Sequence, residues 1–102
     1  MIRFVEGDLI ELLKQGNFDV IAHGCNCFCN FGAGIAKQIK NTFPEVYETD
    51  LKTKKGDSSK LGTISVTNYE FYDIVNCYTQ YYYGQGVNLD YKALEQCLYE
   101  IK

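Results

Sequence analysis

Residues 23–36 read HGCNCFCNFGAGIA and connect a predicted strand to a predicted helix. The run from Phe18 to Cys25 is almost continuously apolar, which is typical of a central strand covered on both faces. Gly32 and Gly34 allow close approach to the backbone, and the amides of Ala33–Ala36 at the helix start can face an anionic phosphate. Because α/β sheets bind ligands at the carboxyl ends of their strands, this stretch predicts an α/β fold with a ligand site here.

The same residues also fit a plain glycine-rich connection between a strand and a helix. No lysine follows as in a Walker A loop, and the glycine spacing is not that of a dinucleotide-binding fingerprint. The residues of this stretch therefore leave both interpretations open.

Hydrophobic periodicity along the rest of the chain predicts strands and helices in alternation. The predicted elements are a strand at residues 2–6, a short helix at 9–14 capped by Asp8, the central strand at 18–25, a helix at 33–43, a polar helix at 45–54, a hairpin of strands 62–68 and 71–79, and a helix at 89–102. Pro44 either ends the helix before it or starts the helix after it. The chain ends on that helix with no closing strand, so we expect a sheet shortened at the C-terminus, with an exposed edge suited to self-association.

The composition predicts a single small domain over residues 1–102. A formal net charge of −3 leaves no basic surface for gripping a DNA or RNA duplex. The N-terminal residues lack the apolar run of a signal peptide or membrane span, so we expect a cytoplasmic protein without a membrane partner.

The five cysteines are odd in number and lack a secretory signal, which favours reduced thiols. Only one residue separates Cys25 from Cys27 and Cys27 from Cys29. Zinc sites usually have two residues between the ligands of a pair, together with a second, distant pair. His23 is the only histidine. We therefore expect neither a metal nor a cofactor.

Three motifs resemble macro domains when taken in order: FVEGDL at residues 4–9, IAHGCN at 21–26 and GAGIA at 32–36. The nearest likeness is to the branch of ADP-ribose 1″-phosphate phosphatases and terminal ADP-ribose glycohydrolases, where HGCN stands in place of Asn-Ala-Ala-Asn. This resemblance implies a three-layer αβα fold with a mixed sheet that binds ADP-ribose or a derivative.

The resemblance also implies roles for individual residues. Asp8 would accept a hydrogen bond from the adenine amino group, Leu9 would back the base through its main chain, and Asn26 would hold the distal ribose. The remaining implied ligand-binding residues are Cys25, Gly32, Ala33, Gly34, Ile35, Ala36, Asn76, Cys77 and Tyr78, and the catalytic candidates are Asn26 and, more weakly, His23.

Several of these residues have a structural alternative. Asp8 could instead cap a helix, and Asn26 could be a loop residue whose side chain bonds to backbone groups. His23 could be a strand residue whose hydrogen bonds are satisfied within the fold. The tyrosines at 81–83 fit surface packing as well as stacking on a ligand.

The sequence departs from the family in two places. It has no second glycine-rich loop after the last helix, and Thr67-Asn68-Tyr69 stands where the glycohydrolases place a catalytic lysine. A lysine nucleophile is thus unsupported, and the resemblance implies hydrolysis of a phosphate or ester at the distal ribose, with water held by the ligand's phosphate and Asn26. The alternatives are an ADP-ribose reader without chemistry and a structural remnant that associates through its sheet edge.

Overall fold

The computed structural model describes residues 2–4, 20–32, 34–70, 72–82 and 89–101. Within these ranges the sheet contains four strands in the order β1-β2-β4-β3. The strands are β1 (Ile2–Phe4), β2 (Val20–Asn26), β3 (Ile64–Asn68) and β4 (Asp73–Gln80). Strand β2 runs parallel to β1 and β4, whereas β3 is antiparallel to β4, so the predicted mixed α/β sheet is confirmed.

Helices within the described ranges cover both faces of this sheet. They are α1 (Gly34–Thr42), α2 (Pro44–Leu51) and α3 (Tyr91–Ile101), with a single 3-10 turn at Ser58–Lys60. One core contains residues from β2, β4, α1 and α2, namely Ile21, Ile74, Tyr78, Ile39 and Val46. The other lies against α3 and contains Ala22, Val75, Cys77 and Cys97. Two cores on opposite faces give the predicted three-layer arrangement.

The junction between α1 and α2 follows from Pro44. A residue before proline is disfavoured in the helical region, and Phe43 has φ −129° and ψ 74°. Pro44 then begins α2, where its missing N–H costs nothing because first-turn amides have no partner within the helix. Of the two roles predicted for Pro44, the structure shows that it starts the second helix.

Other boundaries differ slightly from the prediction. The predicted polar helix ends at Leu51 rather than Lys54, because the Thr53 amide and hydroxyl both donate to the Asp50 carbonyl, at 3.0 and 2.6 Å. The third strand begins at Ile64 rather than Gly62, because Gly62 turns with φ +85°. The predicted helix at residues 9–14 lies outside the described residues.

The last helix is held by a cap and an apolar face. The Ala93 amide donates to Asp90 Oδ1 at 3.0 Å, as expected for a helix N-cap. Ala93 and Cys97 are four residues apart and buried against β4, which places one helical face on the sheet. None of the helices in the described segments has the length and apolar character needed to cross a membrane.

Candidate functional site

The carboxyl ends of β2 and β4 lie side by side at one edge of the sheet. Asn26 ends β2 opposite Gln80 at the end of β4, and a register shift separates Cys25 from Asn26. The Cys27 amide donates to the Tyr81 carbonyl at 3.0 Å, which joins the loops that follow the two strands. This is the edge at which the sequence predicts a ligand site.

The side chain of Asn26 shapes the loop after β2, which we call the cleft loop (residues 27–32). Its Nδ2 donates to the Asn30 carbonyl at 2.8 Å, and its Oδ1 accepts from the Phe28 amide at 2.9 Å. Asn26 is 7% exposed. The described contacts are those of a residue that satisfies a loop, and the predicted contact with a ribose stays a prediction.

The cleft loop leads to the start of α1 through a buried aromatic anchor. Phe31 is buried, whereas Gly32 next to it is exposed and donates its amide to Asn30 Oδ1 at 2.9 Å. A Cβ at Gly32 would lie 2.9 Å from that same oxygen. Helix α1 begins at Gly34, so its first amides lie beside the cleft loop. A ligand that takes the Gly32 amide must displace Asn30.

Four of the predicted ligand-binding residues cannot be placed in this geometry as side chains. Asp8, Leu9 and Ala33 lie outside the described residues, and Ile35 is described only as part of the α1 backbone. Ala36 is half-buried one turn into α1, against the core.

His23 lies inside the sheet rather than at its edge. It is 1% exposed, and its Nε2 donates to Asn76 Oδ1 at 2.5 Å. Asn76 in turn donates to Ser65 Oγ at 3.0 Å and to the Val46 carbonyl at 3.3 Å. Burial lowers the pKa of His23 to about 4, so the imidazole is neutral near pH 7. Burial also raises the pKa of the adjacent Cys25 thiol.

Strand alternation separates the predicted residues of β4. Asn76 and Tyr78 face α1 and α2, on the same side as His23, whereas Cys77 faces α3 and lies in the core with Cys97. The structure therefore brings His23, Cys25 and Asn76 together and places the Cys77 side chain on the opposite face of the sheet.

Asp50, Lys60 and Tyr78 form a buried polar cluster beneath the cleft loop. The Tyr78 hydroxyl donates to Asp50 Oδ1 at 2.7 Å, and Lys60 Nζ lies 4.6 Å from the centre of the Tyr78 ring. Lys60 also donates to the Cys27 carbonyl at 3.2 Å. Burial raises the pKa of Asp50, partly offset by the bond from Tyr78 and the charge of Lys60.

Asp50 and Lys60 are not among the site residues that the sequence predicts. A signal was present for Asp50, which is four residues after Val46 and therefore on the buried face of α2. Lys60 follows a polar connector and carries no comparable pattern, so its burial depends on tertiary packing.

Aromatic rings border the cleft loop on its outer side. The ring of Phe28 meets those of Tyr81 and Tyr82 edge to face, at centroid distances of 5.0 and 5.1 Å. Tyr81 donates its hydroxyl to the Gly56 carbonyl at 3.1 Å and stays 43% exposed. These contacts are packing contacts, and stacking on a ligand stays a prediction; Tyr83 is outside the described residues.

All five cysteines are free and buried. Within the segments that the structure describes, no three residues among His, Cys, Asp and Glu are grouped so as to hold a metal ion.

No protein-family model matches the chain. It is 40% identical over 108 residues to the "Uncharacterized 17.5 kDa protein in tk-vs intergenic region" of Enterobacteria phage T4, covering 99% of this chain and 66% of the phage protein. It is also 33% identical over 67 residues to the ADP-ribose 1″-phosphate phosphatase of Meyerozyma guilliermondii, which covers 65% of this chain and 38% of that enzyme. These partial similarities support a macro-like domain.

One further relative agrees with a macro-like domain, and one solved structure shares the fold. The ADP-ribose 1″-phosphate phosphatase of Scheffersomyces stipitis is 41% identical over 49 residues, covering 46% of this chain and 28% of that enzyme. A solved structure of a protein of unknown function from Bacteroides thetaiotaomicron shares the fold, with a TM-score of 0.57 at 20% identity over 99% of this chain and 68% of that chain. The chain thus spans 66% of the phage relative and 28 to 38% of these two phosphatases.

Proposed function

We propose that this macro-like domain binds ADP-ribose or a derivative of it at the carboxyl ends of β2 and β4. The observation that carries this proposal is the position of the cleft loop. The loop follows β2, contacts the loop that follows the neighbouring parallel strand β4, and leads into the N-terminus of α1. Such an edge is where α/β sheets place nucleotides, and helix amides there suit a phosphate. The partial similarity to ADP-ribose 1″-phosphate phosphatases supports this choice of ligand.

The diphosphate would lie on the backbone from Gly32 to Ala36. The chain carries a formal net charge of −3, so attraction must come from local donors rather than from a basic surface. The amides at the start of α1 are such donors, and Lys60 places a cation beneath the cleft loop through its bond to Cys27. Asp8 and Leu9 would hold the adenine, and Asn26 the distal ribose.

Two versions of this function differ in whether chemistry follows binding. In the first, the domain hydrolyses a phosphate or an ester at the distal ribose, with water held by the ligand's phosphate and Asn26. In the second, it reads ADP-ribose without turnover. The internal hydrogen bonds of Asn26 and His23 favour the second, because both catalytic candidates already use their side chains within the fold. We therefore propose binding first and turnover second.

Binding can be tested by calorimetric titration of ADP-ribose into the whole chain. We expect saturable binding that is lost in Asp8→Ala and in Gly34→Glu, which remove the adenine contact and place a carboxylate on the phosphate path. Asp73→Ala at the amino end of β4 and Gln38→Glu on the exposed side of α1 are matched controls that should bind normally. A folded parent chain that takes up no ADP-ribose would refute the proposal.

Turnover is tested by phosphate release from ADP-ribose 1″-phosphate. Release that follows the binding curve supports the hydrolase. Saturable binding without phosphate release at any enzyme concentration supports an ADP-ribose reader that has no hydrolase activity.

A third candidate, a remnant that associates with itself, is favoured by one observation at the sheet edge. Strand β3 is one of the two edge strands of the described sheet, and its Val66 is exposed where most apolar strand residues are buried. An uncovered edge can pair with another strand. Sedimentation of a single monomeric species over a wide concentration range would argue against this candidate.

We also propose a cytoplasmic location. The support is chemical: five free thiols fit a reducing compartment.

A further inference from the structure

Cys29 occupies an unusual backbone position within the cleft loop. Its φ is +56°, in the left-handed region that non-glycine residues rarely adopt and that commonly marks a functional constraint. Cys29 is buried, with 8% of its surface exposed. Its sulfur donates to the Asp50 carbonyl at 3.4 Å and lies 3.7 Å from Thr53 Oγ1.

Lys60 contacts the same sulfur. Its side chain is 7% exposed, and its Nζ donates to Cys29 Sγ at 3.8 Å as well as to the Cys27 carbonyl. The ring of Tyr78 packs against the ammonium group and limits its movement. A buried lysine nitrogen is thus held beside a buried thiol by three separate contacts.

We propose that Cys29 and Lys60 form a covalent N–O–S cross-link when the protein is exposed to dioxygen. The reaction joins Cys29 Sγ to Lys60 Nζ through one oxygen atom. The S–H bond, one N–H bond and the O–O bond break, the S–O and N–O bonds form, and the second oxygen atom leaves as water. Sulfur and nitrogen each lose two electrons, and dioxygen gains all four.

The lysine must react as a neutral amine, so a nearby group has to accept one proton. Asp50 is suited to this, because it is fully buried and its Oδ2 has no hydrogen-bond partner among the described residues.

The cross-link would tie the cleft loop to the 3-10 turn at Ser58–Lys60. Four equivalents of a thiol reductant reverse it, giving back thiol, amine and water together with two disulfides. The cross-link is therefore a reversible modification, and its formation does not depend on whether the domain binds ADP-ribose.

The test is the intact mass of the purified full chain, reduced first and then held with or without dioxygen. We expect a gain of about 14 Da in the aerated sample, from one oxygen added and two hydrogens lost, and its removal by reductant. Digestion should link the peptides that contain Cys29 and Lys60. Cys29→Ser and Lys60→Arg should both lack the species, whereas Cys27→Ser, a matched control, should retain it.

Other products would overturn the proposal. A loss of about 2 Da alone means a disulfide, for which Cys77 and Cys97 share one core, and a gain of about 16 Da alone means a simple sulfur oxidation. A 14 Da species that persists in Lys60→Arg, or no change on aeration, refutes it as well. If either variant fails to fold, the peptide map of the unchanged chain still shows whether Cys29 and Lys60 are linked.

Discussion

Replacing Tyr78 by phenylalanine removes a single buried hydroxyl from the polar cluster beneath the cleft loop. That hydroxyl donates to Asp50 Oδ1 at 2.7 Å and lies 2.8 Å from Ser65 Oγ. Asp50 is 0% exposed, and its other carboxylate oxygen has no hydrogen-bond partner among the described residues. The substitution keeps the ring in the core, so its main effect is to remove one hydrogen bond from the buried carboxylate of Asp50.

The loss follows from the strength of a hydrogen bond to a charged acceptor. Such a bond contributes about 1.5–3 kcal/mol, and removing one partner of a buried pair leaves the other desolvated. We therefore expect Tyr78→Phe to lower the free energy of unfolding by about 2–3 kcal/mol at neutral pH.

The loss should depend on pH, because the bond stabilises the ionised form of Asp50. Burial raises the pKa of Asp50 above its unfolded value, and removing the Tyr78 hydroxyl raises it further. For a carboxyl group with a raised folded pKa, the cost of ionisation is complete above that pKa. This ionisation cost disappears as the pH falls towards the pKa of the carboxyl group in the unfolded chain. The difference between variant and parent should thus be smaller near pH 5 than near pH 7.

Urea denaturation of both proteins at the two pH values measures this difference. Protonation of His23 affects parent and variant alike and therefore cancels in the comparison. Tyr81→Phe is the matched control, because its hydroxyl donates to a carbonyl from an exposed position. It should cost less than about 1 kcal/mol at either pH. A Tyr78→Phe protein within about 0.5 kcal/mol of the parent, or with the same loss at both pH values, would refute the reasoning.

Three other predictions test the core and its turns. The single histidine, His23, should show no titration of its ring proton by NMR from about pH 7.5 to 5.5, since burial holds its pKa at about 4; a midpoint near 6.5 would contradict this. Gly62→Ala should cost about 1–3 kcal/mol in urea denaturation, because φ is +85° and the new methyl group would meet the Gln96 side chain; an unchanged midpoint would show that the turn relaxes. Ile39→Ala should cost about 2–4 kcal/mol by the same assay, whereas Val66→Ala at the exposed edge should cost much less; equal losses would place the core elsewhere.

Much of the fold could be predicted from local patterns. The apolar run before Cys25 predicted the central strand, Pro44 predicted the junction of two helices, and the turn after Asn68 predicted a hairpin. Each of these depends on interactions within a few residues, namely strand burial, the restricted φ of proline and turn geometry. The position proposed for the cleft is itself a prediction from sequence, because the glycine-rich stretch follows a buried strand and precedes a helix.

Tertiary structure alone decided which side chains face each other across the sheet. Strand alternation places Asn76 and Cys77 on opposite faces, but only the pairing of β4 with β2 puts Asn76 within reach of His23. Likewise, helical spacing from Val46 indicates only that Asp50 lies on the buried face of α2, and Lys60 resembles an ordinary residue of a polar connector. Their placement beside Tyr78 and the cleft loop arises from contacts between residues 18 to 33 positions apart, which no local pattern encodes. Short-range backbone preferences specify helices, strands and turns, whereas the packing of these elements determines which groups contact a buried charged side chain.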